Sequence, residues 1–124
     1  MKPISLTLSE SAGIDRKCWP ITRGIPLPEG VIRDPNVLRL SAADEIVSSQ
    51  FRVLSRWPDG SIQWVLVDGQ IDVGAHGTVR LCVRTAAEEI PSPDEPVETT
   101  ETDEAVIVCT GPLRFTIRRD RVGL

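Results

Sequence analysis

Arg56, Trp57 and Asp59 are the residues of this chain best suited by type and spacing to hold a ligand. They open the stretch "RWPDGSIQW", residues 56–64. An indole offers a flat apolar face to a sugar ring, and a guanidinium and a carboxylate beside it can bond hydroxyls. Trp57 and Trp64 are two of only five aromatic residues in the chain, which has three Trp, two Phe and no Tyr. A plainer account competes. Pro58 presets φ at turn position i+1, Asp59 suits i+2, and Gly60 supplies the left-handed residue of a three-residue hairpin loop. That register sets Trp57 opposite Ser61, Arg56 opposite Ile62, Ser55 opposite Gln63 and Leu54 opposite Trp64. Strand alternation then sends the two tryptophans to opposite faces. Phe51, Val53, Trp57, Val65 and Val67 share one face. Leu54, Ile62, Trp64 and Leu66 share the other, with Arg52 and Arg56. A barrel interior needs only one apolar face, so Leu54, Ile62, Trp64 and Leu66 are expected to cover a neighbour.

Motifs for known chemistries are absent: no phosphate-binding glycine loop, dinucleotide fingerprint, paired-cysteine metal motif, zinc-protease helix or nucleophile elbow occurs. The single histidine, His76, sits between glycines in "VGAHGT" and reads as an exposed turn residue. The neighbouring acids Asp44 and Glu45, Glu88 and Glu89, and Asp103 and Glu104 fall in loops. Two solvated neighbours do not acquire the different environments that acid–base catalysis needs. No catalytic residue, metal ligand or cofactor site is therefore expected in these 124 residues. Cys18, Cys82 and Cys109 are odd in number and far apart, and read as buried reduced thiols; a Cys82–Cys109 disulfide is the alternative.

The elements that must position these residues are strands. "ISLTL" alternates Ile4, Leu6 and Leu8 with Ser5 and Thr7. "TVRLCVR" alternates Val79, Leu81 and Val83 with Arg80 and Arg84, and "PLRFTIR" turns Leu113, Phe115 and Ile117 inward. Turn signals separate them at Pro26 to Gly30, Asp34 to Asn36, Pro58 to Gly60, and Gly74 and Gly77. "SAADEIV" has a helix-cap pattern, but its apolar run is too short, so it reads as a turn between strands. The pattern predicts an all-β fold, a small antiparallel β-barrel of about seven strands.

Charge divides the chain. Residues 88–104 hold eight of the eighteen acids and no Lys or Arg, leaving ten acids against fourteen bases elsewhere. Together with Pro91, Pro93 and Pro96 this predicts an acidic linker or long loop over 86–104, after a barrel body at 1–85. Residues 105–124 are expected to supply a closing strand and then, from Asp120 to Leu124, half a hairpin. A half-hairpin suggests that the natural chain continues beyond Leu124 into a following domain. The bases are too scattered for a nucleic-acid surface, and no apolar run is long enough to cross a membrane as a helix. No signal peptide is evident, which points to the cytoplasm unless an export signal lies outside this chain.

Gly24, Pro26 and Gly30, then Gln50, then Trp57, Asp59, Gly60, Ser61 and Trp64 resemble a pattern in exo-rhamnogalacturonan lyase-like, or YetA-like, proteins. The match covers about residues 20–72. The resemblance implies a RIFT-type β-barrel at the N-terminus of a multidomain protein that cleaves pectin-type rhamnogalacturonan by β-elimination, with catalysis in later domains. The expected role is a non-catalytic module packed against those domains. A stand-alone module that forms homo-oligomers, or a module binding pectin-type oligosaccharide through Trp57, Asp59 and Arg56, are the alternatives.

Overall fold

The computed structural model describes residues 1–93 and 95–121. The chain forms two compact units, Met1–Pro91 and Ser92–Leu124. The first holds seven strands: β1 (Ile4–Ser9), β2 (Arg16–Pro26), β3 (Leu38–Ala42), β4 (Glu45–Ile46), β5 (Ser49–Arg56), β6 (Ile62–Val73) and β7 (Thr78–Thr85). A 3₁₀ turn, Pro35–Val37, precedes β3; Asp34 caps it by accepting from the Asn36 amide at 2.9 Å. The strands pair antiparallel in the orders β1-β7-β3-β4 and β2-β6-β5. The fold is all-β as expected, although the hydrogen-bonded ladder does not run unbroken around the barrel.

The inner faces of these two sheets bury Ile25, Leu38, Leu40, Val65, Val67 and Val83. The predicted alternation holds in β1, where Ile4, Leu6 and Leu8 pack against this core, and in β7, where Leu81 and Val83 are buried. "SAADEIV" is a two-residue hairpin, with Ala43 at φ 48° and Asp44 at φ 69°. Two left-handed residues in succession match the twist of paired strands, but an alanine there carries Cβ strain. Ala43→Gly should therefore raise stability by about 0.5–1 kcal/mol, read as a higher urea midpoint.

The end of the barrel body is pinned by Glu10. Its side chain is only 5% exposed. Its carboxylate accepts from the amides of Ala12 (3.0 Å), Gly13 (2.8 Å), Ile14 (3.2 Å) and His76 (3.2 Å). Arg16 Nη2 lies 3.4 Å away. This ties the β1–β2 loop to the β6–β7 turn. Desolvation pushes the carboxyl upward, but the four amides outweigh it and hold its pKa at about 2, against an ordinary 4.5. A depressed carboxylate stabilises the fold fully above its unfolded value and loses that contribution as pH falls toward the folded one. The urea midpoint should thus decline between pH 4.5 and about 2. Glu10→Gln should lower it at neutral pH and flatten the decline.

Three expectations need correction. First, β8 (Glu98–Glu101) forms within the stretch expected to be a linker. It pairs with β9 (Ala105–Cys109), which pairs with β10 (Arg114–Arg118). Thr99 and Thr100 are good strand formers, and Val108 and Ile107 opposite them supply the pairing. Second, β9 and β10 close no barrel ladder; they belong to this separate sheet, in the order β10-β9-β8. Leu113, Phe115 and Ile117 are therefore exposed rather than inward, because three strands alone provide no second layer. Third, Cys18 is exposed, not buried: its φ of 46° breaks the alternation of β2, and its amide donates to Asp72 Oδ1 at 2.7 Å. All three cysteines are free thiols. Of the predicted C-terminal half-hairpin, Val122 to Leu124 lie outside the described residues.

Candidate functional site

The hairpin between β5 and β6 is built as its sequence demands. Gly60 adopts φ 83°, its amide donates to Trp57 O at 2.9 Å, and the Trp57 amide donates to Ser61 O at 2.8 Å. Trp57 opposite Ser61 and Arg56 opposite Ile62 are observed. The register then slips. Ser55 pairs with Trp64 instead of Gln63, and Val53 with Val65. The extra residue at Gln63 is a β-bulge, which leaves two residues between the inward side chains of Ile62 and Val65. Ile62 consequently turns into the core, with 0% exposure. It is not part of the outer face on which simple alternation placed it.

Trp57, Asp59 and Arg56, the candidate sugar-binding residues, meet a second segment, the β2–β3 loop. Trp57 Nε1 donates to Leu27 O at 3.0 Å. Arg56 Nη1 donates to Arg33 O at 3.0 Å and Gly60 O at 2.8 Å. Asp59 Oδ1 accepts from the Ser61 amide at 2.8 Å and from the Ser61 hydroxyl, and Oδ2 pairs with Arg33 Nη2 at 3.1 Å. The Ser61 hydroxyl, with its amide and the Arg33 charge, holds the Asp59 carboxyl below its ordinary range. The buried Ser61 hydroxyl also accepts from the Gly30 amide at 2.8 Å. The Leu27 amide donates to Gln63 O at 2.8 Å, and the Ile62 amide to Ile32 O at 2.6 Å. The polar groups of the three candidates are thus directed into the chain, where they fasten loop to hairpin. Leu27 and Ile32 enter the core at either end of this loop.

The motif residues acquire physical reasons here. Gly30, at φ 77°, lets its loop turn toward Ser61. Gly24 lies under the Trp64 indole: a methyl added there would sit 3.6 Å from Cε3. Leu54 and Trp64 remain on the outer face of β2-β6-β5, 51% and 43% exposed, with Leu66 partly exposed beside them. Two participants carry no local sequence signal. Arg33, which clamps Asp59, and Leu27, which accepts from Trp57, are recognisable only once the loop has folded back over 26 to 30 residues. Trp19 is also exposed, with the Arg16 guanidinium 4.3 Å from its ring centroid.

Among the described residues, no group of three or more His, Cys, Asp or Glu could hold a metal ion. No helix there is long and apolar enough to cross a membrane. No curated protein matches the sequence. The family described as PcRGLX-like N-terminal RIFT barrel domain matches residues 9–81, which include the hairpin, its clamping loop and every strand from β2 to β6. A match over more than half of the chain, on residues whose packing builds the two barrel sheets, means that this protein belongs to the PcRGLX-like N-terminal RIFT barrel domain family.

Proposed function

We propose that the chain is a non-catalytic module of a carbohydrate-degrading, polysaccharide lyase-like protein, packed against the catalytic part of that protein. The supporting observation is the outer face of β2-β6-β5. Leu54, Trp64 and Leu66 form an apolar patch there, while the core of the unit is already complete on the opposite face. An apolar patch on a sheet with its own core is suited to covering a neighbour. The three residues lie within the stretch, 9–81, that matches the N-terminal RIFT barrel family.

Two measurements test this. The chain alone, incubated with rhamnogalacturonan, should release no unsaturated uronide; growth of the ultraviolet enone band would overturn the non-catalytic assignment. In a protein that carries this module joined to its catalytic part, Trp64→Ser should lower the melting temperature by several degrees more than it does in the isolated chain. Equal shifts in both would remove the packing role. The patch also suits an oligomerising module, and sedimentation distinguishes this: a concentration-dependent dimer abolished by Trp64→Ser would favour self-association.

A further inference from the structure

A groove of the barrel unit lies away from the hairpin, beside the start of β5. Its volume is about 560 Å³, within the range of small-molecule sites. Pro35 and Asn36 of the 3₁₀ turn, Arg39 of β3, Gln50 and Phe51 of β5, and Glu89 form most of its wall. Gln50 is the residue of the sequence pattern that the hairpin and its loop leave unused. It is exposed in β5, opposite Asp68.

The wall has a definite chemistry. Among the described residues, the side-chain amides of Asn36 and Gln50 and the carboxylate of Glu89 make no hydrogen bond. Arg39, by contrast, is committed: Nη1 donates to Asn36 O at 2.6 Å and Leu38 O at 2.7 Å, and Nε donates to Glu88 O. The groove therefore offers two groups that both donate and accept, one that only accepts, and an aromatic side chain, Phe51. Its two charges, Arg39 and Glu89, are opposite in sign and provide no net pull on an ion.

We infer that this groove binds a neutral sugar of one or two residues, with Asn36, Gln50 and Glu89 bonding ring hydroxyls beside Phe51. Vicinal hydroxyls donate and accept at once, which carboxamides and a carboxylate complement, and the C–H face of a sugar ring suits an aromatic wall. Arg39 keeps its positive charge while it donates to backbone carbonyls, so beside Glu89 a carboxylate gains nothing here, and acidic sugars should bind no better than neutral ones. The inference stands on the groove alone and is independent of the packing role proposed for the Trp64 face.

The test is a titration of the chain followed by the side-chain amide resonances of Asn36 and Gln50. The probes are glucose, galactose and rhamnose, with glucuronate and galacturonate as their charged counterparts. At least one neutral sugar should give saturable shifts at millimolar concentration. The uronates should bind no more tightly than their neutral counterparts, and Gln50→Ala should bind the neutral sugar about tenfold more weakly, a loss of roughly one hydrogen bond. Gln70→Ala, an exposed glutamine outside the groove, should bind as the parent does. No saturable shift with any neutral sugar, tighter binding of uronates, unaltered binding by Gln50→Ala, or shifts confined to Trp57 and Trp64 would each overturn the assignment.

Discussion

Ile62→Ala should destabilise the chain by about 2–5 kcal/mol, whereas Leu54→Ala should cost under about 1 kcal/mol. Simple alternation places both residues on one outer face, so the pair isolates the effect of the bulge. Ile62 has 0% exposure and packs with Val65, Leu27 and Ile32 in the core, while Leu54 is 51% exposed. Removing three carbons from a buried isoleucine forfeits their transfer energy and leaves a cavity that its neighbours only partly fill. A leucine already half in water loses little of either. Urea unfolding monitored by tryptophan emission measures both, with the slope against urea expected to stay constant. Against a typical domain stability of about 5–15 kcal/mol, the Ile62 variant should be visibly marginal. Similar losses in the two variants would mean that Ile62 does not face inward.

Gly77→Ala should cost about 2–3 kcal/mol, and Gly74→Ala, three residues earlier, under about 1 kcal/mol. The two glycines bound the turn that carries the chain from β6 in one sheet to β7 in the other, closed by the Gly77 amide donating to Gly74 O at 2.8 Å. A methyl on Gly77 would lie 2.7 Å from that same oxygen. The obstacle is backbone, so relief requires opening the turn. A methyl on Gly74 meets only Asp15 Oδ1, at 3.6 Å, an ordinary contact. The damage from Gly77→Ala should spread, because the Glu10 amide donates to Gly77 O at 2.9 Å and Glu10 in turn holds the His76 amide. Protection of the Glu10 and His76 amides against hydrogen exchange should fall together in this variant; loss at one without the other would show that the pin is not a unit.

What the sequence made legible was whatever depends on near neighbours. Alternation in β1 and β7, the Pro58 to Gly60 turn and the rejection of a helix at Ala43 follow from two- and three-residue rules, and the structure shows each of them. The bulge at Gln63 could not be read this way. It accompanies backbone bonds from Leu27 to Gln63 and from Ile62 to Ile32, partners 36 and 30 residues apart. Glu10 was unreadable for the same reason, since one of its four amide donors lies 66 positions along the chain. β8 was hidden by its charge. Its glutamates resemble those of a solvated linker, and only the valines opposite identify the segment as an edge strand. At the hairpin, Trp57, Asp59 and Arg56 were picked out for their chemical types. Their partners Leu27 and Arg33 supply two backbone carbonyls and a guanidinium that have no pattern of their own.

The β2–β3 loop bears on where this barrel can change length. It lacks regular structure from Leu27 to Asp34, yet Leu27 and Ile32 are core residues and its backbone is bonded to the hairpin at Leu27, Gly30 and Ile32. Insertion there would draw a buried side chain out of place or break the spacing between these three anchors. The Ala43–Asp44 turn has no such ties and points its residues to water. Growth of the chain, or grafting of a foreign peptide, is accommodated at that two-residue turn, while the longer and less regular loop acts as a fixed-length strut.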